Sequence, residues 1–221
     1  YGGDIVGNGT YKSFDQGFFR QSVLDTISST PFYNAIGNHE GWRKVVKSFH
    51  QAPDSASGSQ AYYSFDWGVV HMLVLNTEID YNRASAQYGF AKTDLAASKQ
   101  PWKIVAFHKP AYGAGVLKAT AADGDPDMKV MSKEVFAPEG VQLVLCGHHH
   151  FYQHMLVDGV HHMTIASAGA ELAHDPAPAP FVIKYRKGYH FAVLDADAGS
   201  LKIEVFDEKG ASIDSVALNK T

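Results

Sequence analysis

Two largely apolar runs, WKIVAF at 102–107 and VQLVLC at 141–146, most constrain what this chain can fold into. A run of this length without regular polar alternation is typical of a strand that is covered on both faces of its sheet. Covering both faces requires further layers of helix or sheet around these strands. We therefore expect a layered α/β architecture with 102–107 and 141–146 at its centre.

Helical and extended patterns surround these two runs. Apolar residues that recur every four positions predict a helix over 15–28, and an Ala-rich stretch predicts another over 84–99. PFYNAI at 31–36 is predicted to be a short buried strand that enters a tight turn. The segment 62–76 is predicted to form two strands joined by an Asp-Trp-Gly turn. An acidic loop followed by a helix over 128–136 is also expected.

After about residue 160 the helical period disappears, and short strands separated by turn residues dominate the pattern. These strands are predicted at 162–167, 180–185, 189–195, 201–206 and 211–217. The Pro/Ala-rich segment 174–180 resembles a linker, but strand patterning resumes directly after it. No internal repeat and no boundary between two independent cores is evident, so we expect a single domain over 1–221.

The composition argues against several classes of protein. A formal charge of −4 without blocks of one sign disfavours nucleic-acid binding, which normally requires a basic face. No run approaches the roughly 18 apolar residues of a membrane-spanning helix, and the opening YGGD does not have the pattern of a signal peptide. Cys146 is the single cysteine of the chain, which excludes an internal disulfide. The chain has 12 histidines, and imidazole both titrates near neutrality and binds metal ions, so we expect the functional site to use histidine.

Four short segments share one pattern, in which Asp, Asn or His follows an apolar run, with or without an intervening glycine. They are Gly3-Asp4, Gly37-Asn38-His39-Glu40, Phe107-His108 and Gly147-His148-His149-His150. Open α/β sheets bind ligands beyond the carboxyl ends of their strands, so we expect these side chains in one crevice. Carboxylate, amide and imidazole donors without thiolate suit Zn, Fe, Mn or Co. The pattern therefore favours a metal site.

These motifs, in this order, resemble those of the calcineurin-like metallophosphoesterases. The likeness is closest to the purple-acid-phosphatase-like branch, which 62–78, 101–112 and 143–152 resemble most strongly. The resemblance implies an α/β fold, a layered sandwich of two mixed β-sheets flanked by helices. It also implies a hydrolase that cleaves small phosphoester substrates, either monoesters or diesters. That branch is often exported, which favours a periplasmic or secreted protein.

The resemblance assigns metal ligands to five residues of this chain. Asp4 would bridge two divalent or trivalent ions, such as Fe, Mn or Zn. Asn38, His108 and His148 would bind one ion, and His150 would bind the other. Two such cations about 3.5–4 Å apart lower the pKa of a shared water and hold the phosphoryl oxygens during in-line displacement.

His39 is the catalytic residue that the resemblance implies. It follows a metal ligand directly but would face the substrate, where it would stabilise or protonate the leaving oxygen. An imidazole whose pKa lies near neutrality suits this role, because it can donate a proton to a departing alkoxide.

The chain departs from the family pattern at two places. The opening Asp-x-His motif has no counterpart in these residues, so the domain is expected to lack its N-terminal strand. Gly7 stands where purple acid phosphatases carry a tyrosine, three residues after Asp4, so an iron–tyrosinate centre is not expected.

Two other functions stay open. A non-catalytic binding or scaffold domain that keeps the phosphoesterase fold is one, because the first metal motif is not found. A zinc peptidase or amidase is the other, supported only by the number of histidines. His39-Glu40 does not continue into the H-E-x-x-H motif, because Arg43 occupies the position of the second histidine.

Several residues near the motifs carry weaker expectations. His71 alternates with apolar residues and is expected to be structural, and His149 is expected to be exposed. Tyr112 and Tyr152 are candidates to line a substrate cleft. The acidic stretch 123–134 has part of the spacing of a calcium-binding EF-hand but has methionine where that loop requires glycine.

Overall fold

The fold contains two β-sheets, in a computed structural model that describes residues 1–113, 124–172 and 181–220. The Pro/Ala-rich segment 174–180 lies outside the described residues. The strands are β1 (Tyr63–Trp67), β2 (Val70–Val74), β3 (Trp102–Phe107), β4 (Leu143–Cys146), β5 (Tyr152–Val157), β6 (Val160–Ile165), β7 (Val182–Arg186), β8 (His190–Ala196), β9 (Ser200–Asp207) and β10 (Ser212–Asn219).

The helices of the described residues all lie before β4. They are α1 (Tyr11–Ser13), a π-helix (Phe14–Phe18), α2 (Gln21–Ile27), α3 (Lys44–Phe49), α4 (Ala86–Ala97), α5 (Pro126–Met131) and a second π-helix (Ser132–Phe136). In this part of the chain no helix is long and apolar enough to cross a membrane.

The larger sheet has seven strands in the order β1-β2-β3-β4-β6-β5-β7. Its centre is parallel, from β2 through β3 and β4 to β6, whereas β1, β5 and β7 pair in the antiparallel sense. The smaller sheet, in the order β10-β9-β8, is antiparallel in both pairings. The fold is therefore α/β with a large mixed sheet and a second sheet.

Both faces of the central strands are buried, as the apolar runs predict. Ile104 and Leu143 face the smaller sheet and pack with Leu201 and Ile203 in one core. Their neighbours Val105 and Val144 face the other way and pack against the helices α4 and α5. Alternate residues of the same strand therefore serve two separate cores, which explains why the strand carries few polar residues.

The prediction of one continuous helix over 15–28 is wrong. A π-helix ends at Phe18, and α2 begins only at Gln21. Phe14, Phe18 and Phe19 belong to one apolar cluster, with ring centroids 5.2–6.4 Å apart within the trio. Arg20, which precedes α2, has an extended backbone with a φ of −67° and a ψ of 149°, and this residue breaks the helix.

Two extended segments also differ from expectation. Residues 31–36 form no assigned strand. Their backbone pairs with the single residue Tyr1, through the Tyr33 carbonyl and through a 2.9 Å bond from the Ala35 N–H, and the Asn34 carbonyl accepts from the Tyr63 hydroxyl instead of from a neighbouring strand. Strand β5 was not expected, since Gln153 and His154 interrupt its apolar pattern. Both side chains are nevertheless buried. The other predicted strands and the helix over 84–99 are confirmed within a few residues.

Candidate metal centre

The ends of two adjacent parallel strands bring His108 and His148 together. Phe107 and Cys146 are paired at the carboxyl ends of β3 and β4, so the residues that follow them leave the sheet side by side. The Gly147 N–H donates a 3.0 Å hydrogen bond to the His108 carbonyl. His148 itself adopts a left-handed backbone conformation with a φ of 67°, which turns the chain sharply at this point.

The Asp4 and Asn38 loops approach each other because glycine allows it. A Cβ atom on Gly37 would lie 2.1 Å from Asp4 Oδ1, a separation that only glycine avoids. Asp4 has a φ of 53°, which aims its carboxylate at the ends of the parallel strands. Asp4 Oδ1 accepts a 2.8 Å hydrogen bond from the His39 N–H, so the two loops are tied together.

Four predicted ligands converge around a single atom, His108 Nε2. It lies 3.0 Å from Asp4 Oδ2, 3.0 Å from Asn38 Oδ1 and 3.2 Å from His148 Nδ1. The ligand atoms of Asp4, His108 and His148 all lie within 4.8 Å of one another. The structure thus brings together side chains from four separate segments of the chain.

The tautomer of His108 decides what this cluster can hold. Its Nδ1 lies 2.7 Å from the carbonyl oxygen of Gly2, which can only accept, so Nδ1 carries a proton. The other ring nitrogen, Nε2, faces the oxygens of Asp4 and Asn38, which carry lone pairs, so either a proton or a metal ion must lie between these atoms. An imidazole anchored through its other nitrogen is typical of metal ligands. The residues therefore fit a metal ion.

The electrostatics of the cluster keep its ligands in their metal-binding forms. Burial, together with the neighbouring His108 and His149, lowers the pKa of His148 to about 3, so its ring is neutral at pH 7. Burial opposes ionisation of Asp4, but hydrogen bonds from His108 and His39 outweigh it and hold the pKa of that carboxyl below its usual value. A neutral imidazole and an ionised carboxylate are the forms that bind metal ions.

His39 lies at the mouth of the cluster. Its Nδ1 is 2.9 Å from the Gly7 carbonyl, and its Nε2 is 4.0 Å from Asp4 Oδ2. The side chain is half exposed, at 50%. It therefore faces solvent beside the ligand cluster, where an incoming ligand can reach it.

His150 is not part of the compact cluster, although the resemblance implies that it is a metal ligand. It lines the same cavity of about 900 Å³ as Asp4, His39, His108 and His148. Its Nδ1 lies 2.7 Å from the Glu171 carbonyl, which can only accept, so that nitrogen carries a proton. The role of the other ring nitrogen, Nε2, as a metal ligand stays a prediction.

Other expectations near the motifs are wrong. His149 is buried rather than exposed, with its ring against His148 and Phe151. Tyr152 is fully buried and donates a 2.7 Å hydrogen bond to Asp214, so it lines no cleft. Tyr112 packs edge-on against His162, away from the described lining of the cavity. The tyrosines flanking the motifs therefore serve packing.

The acidic stretch 123–134 has structural partners. Asp123 lies outside the described residues. Asp125 caps α5 through the Met128 N–H and accepts a hydrogen bond from Tyr81. Glu134 pairs with Arg83. The two carboxylates are thus engaged in packing the helices.

Sequence reasoning missed Glu40. The motif Gly37-Asn38-His39-Glu40 includes it, but the pattern assigns it no role; its side chain is fully buried and its carboxylate accepts three backbone hydrogen bonds from the metal-site loops. The signal available in the sequence was its position directly after Asn38 and His39.

Comparison with known proteins agrees with this geometry. The model of the calcineurin-like phosphoesterase family matches residues 1–152. Purple acid phosphatase 18 of Arabidopsis thaliana is 35% identical over 148 residues, which cover 61% of this chain and 33% of that protein. Probable inactive purple acid phosphatase 9 of the same plant is 27% identical over 187 residues, which cover 68% of this chain and 28% of that protein. The chain thus spans about a third of the length of these relatives.

Solved structures share the fold. Purple acid phosphatase PPD1 from yellow lupin (Lupinus luteus) superimposes with a TM-score of 0.84 at 22% identity, over 98% of this chain and 45% of that one. GAP50, described as the anchor in the inner membrane complex of Plasmodium, has a TM-score of 0.70 at 14% identity, over 87% of this chain and 67% of that one. The motifs, the architecture and these matches lead to one conclusion: the chain belongs to the calcineurin-like phosphoesterase family, in its purple-acid-phosphatase-like branch.

Proposed function

We propose that this protein hydrolyses phosphoester bonds at a dinuclear metal centre held by Asp4, Asn38, His108, His148 and His150. The observation that carries the proposal is the set of three donor atoms within 3.0–3.2 Å of His108 Nε2. These separations suit ligands that share one ion at about 2.0–2.2 Å. When bound, such ions supply Lewis acidity and an activated water.

The first ion would be held by side chains that are fixed before it arrives. His108 is anchored to the Gly2 carbonyl, and Asp4 accepts the His39 N–H through Oδ1, which leaves Oδ2 directed at His108. Because the ligands are already positioned, little conformational entropy is lost on binding. His150, with Nδ1 held by the Glu171 carbonyl, would contribute Nε2 to the second ion.

His39 would act on the leaving group. Its ring is held by the Gly7 carbonyl at the mouth of the cluster and is half exposed, so a bound phosphoester can contact it. Donation of a proton from the imidazole to the departing oxygen avoids the release of a free alkoxide. We expect the substrate to be a small phosphoester. A periplasmic or secreted location stays a prediction.

A second candidate function is a binding or scaffold domain without catalysis. It is favoured by the relatives whose names describe them as probably inactive and by the fold shared with GAP50, which is described as an anchor. Such a domain would keep the fold and lose turnover.

The two functions are separated by turnover and metal binding measured on the same preparation. The protein, loaded with Mn²⁺, Zn²⁺ or Fe²⁺, is assayed with p-nitrophenyl phosphate and bis-p-nitrophenyl phosphate. Hydrolysis that falls about 10²–10⁴-fold in His39→Ala, with metal content unchanged, supports the enzyme. Metal binding without turnover of either ester favours the scaffold, and no metal binding at all refutes the proposed centre.

A further inference from the structure

A single buried carboxylate connects the two loops that carry Asp4 and Asn38. The Glu40 side chain is 0% exposed. Its Oε2 accepts hydrogen bonds from the Asp4 N–H at 3.0 Å and from the Gly37 N–H at 3.2 Å, and its Oε1 accepts a third from the Ile5 N–H. These donors belong to segments more than 30 residues apart in the chain.

The chemistry of this contact requires a carboxylate. Three converging N–H groups need a group that only accepts, and an ionised carboxylate has two oxygens with enough lone pairs for all of them. An amide of the same size would direct its NH₂ at one or two of these donors. Hydrogen bonds to a charged acceptor are also about twice as strong as neutral ones.

The contact also fixes an unfavourable backbone conformation. Asp4 is one of three non-glycine residues with positive φ in the described chain. A side-chain-bearing residue in this region is strained unless its surroundings hold it there. The Glu40 carboxylate binds the N–H groups of Asp4 and of the next residue, and Asp4 in return accepts the His39 N–H at 2.8 Å. Two reciprocal carboxylate-to-backbone contacts thus hold the loops in register.

Glu40 is not placed to bind the ion itself. Both of its oxygens are used by backbone N–H groups, and it does not belong to the group of Asp4, His108 and His148 whose ligand atoms lie within 4.8 Å. Its effect on the ion must therefore pass through the ligands that it orients.

We propose that Glu40 is a positioning residue that fixes the Asp4 carboxylate relative to Asn38 and thereby sets the metal affinity of the centre. This inference rests on the proposed function, because it concerns the same metal site. A purely structural role would be different, since it would lower the stability of the metal-free protein and leave the intrinsic affinity of the folded protein for metal unchanged.

The test compares Glu40→Gln with Asp94→Asn, a matched change in a buried carboxylate away from the site. Asp94 accepts hydrogen bonds from Ser64 and His71 at 2.7 and 2.8 Å, and neither partner belongs to the metal cluster. The Kd for Zn²⁺ is measured by calorimetry at a temperature where both variants are folded, and thermal unfolding of the metal-free proteins is measured in parallel. The visible absorption of the Co²⁺-loaded protein reports the ligand geometry.

We expect Glu40→Gln to weaken Zn²⁺ binding about 10–100-fold and to change the Co²⁺ spectrum, as is typical when a group that orients a ligand is lost. Asp94→Asn should lower the unfolding temperature and leave the Kd within about twofold of wild type. Equal Zn²⁺ affinity in folded Glu40→Gln and wild type would overturn the inference.

Glu40→Asp keeps the test decisive if Glu40→Gln does not fold. It retains the charge but withdraws the carboxylate by one methylene, so we expect it to fold and to bind Zn²⁺ at least about fivefold more weakly than wild type. An unchanged Kd in this variant would overturn the inference as well. Failure of the wild-type protein to bind Zn²⁺, Mn²⁺ or Fe²⁺ is a separate result, because it refutes the proposed function itself.

Discussion

Replacing His71 with glutamine should destabilise the protein in a pH-dependent way. His71 lies between two carboxylates, with Nδ1 2.7 Å from Asp66 Oδ1 and Nε2 2.8 Å from Asp94 Oδ2. Both ring nitrogens face acceptors, so both carry protons and the ring is an imidazolium. The contact joins β1, β2 and α4, as expected of a structural histidine.

The magnitude follows from the burial of the three side chains. His71 and Asp94 are 8% and 10% exposed, whereas Asp66 is 53% exposed. Breaking a buried ion pair costs about 3–5 kcal/mol, and a half-exposed partner adds at most about 1 kcal/mol. Glutamine can still donate one hydrogen bond, so we expect the lower end, about 3 kcal/mol. For a chain of this size that corresponds to an unfolding temperature lower by about 6–12 °C.

The sign of the pH dependence follows from the pKa of His71. Burial alone would lower that pKa, but the hydrogen bonds and charges of Asp94 and Asp66 outweigh it and raise the pKa above its usual value. A raised folded-state pKa stabilises the protein fully below the unfolded pKa of about 6.5, and the stabilisation is lost as the pH rises through the folded-state value. The difference between wild type and His71→Gln should therefore be largest below about pH 6.5 and shrink above it.

The assay is thermal or urea unfolding of both metal-free proteins between pH 5.5 and 9. Asp66→Asn serves as the control, because removing the half-exposed carboxylate should cost only about 1 kcal/mol. A difference between wild type and His71→Gln that is below about 1 kcal/mol at pH 6, or that grows as the pH rises, would refute this reasoning.

Two further substitutions test the glycine approach and the contact between the sheets. Gly37→Ala should weaken metal binding at least about tenfold, because the added Cβ would lie 2.1 Å from Asp4 Oδ1. Calorimetry measures the metal affinity. Gly7→Ala is the control and should bind metal as wild type does, because its Cβ would meet nothing within 4 Å. Asp214→Asn should lower the free energy of unfolding by about 2 kcal/mol, since Asp214 accepts hydrogen bonds from buried Tyr152 at 2.7 Å and His154 at 2.9 Å. Urea unfolding measures this loss, and unchanged stability would show that the two bonds contribute little.

The sequence predicted most reliably the strands that are buried on both faces. The run at 102–107 coincides with β3 because both faces of that strand meet apolar layers, so the pattern alone identifies it. Strand β5 escaped prediction because the partners of its buried His154 lie on other strands. His154 bonds to Asp214 and to His161, and neither partner can be inferred before the sheets are assembled.

The site was predictable where a side chain follows a strand or a tight glycine turn, as with His108, His148 and Asp4. Their convergence is confirmed, whereas binding of an ion by them, by Asn38 and by His150 stays a prediction. Glu40 could not be assigned a role in this way, because its carboxylate bonds to backbone N–H groups of a loop 35 residues earlier. Every residue except proline can donate a backbone N–H, so the residue types of the donors do not reveal such hydrogen bonds. The expectation of a single domain over 1–221 also stays a prediction.

Anomalous X-ray diffraction from crystals of the Zn²⁺-loaded protein tests the metal centre most directly. We predict a peak about 2.0–2.2 Å from His108 Nε2, from Asp4 Oδ2 and from His148 Nδ1. Zinc bound only elsewhere, with these atoms at hydrogen-bonding distance from one another and no peak between them, would contradict the proposed metal centre.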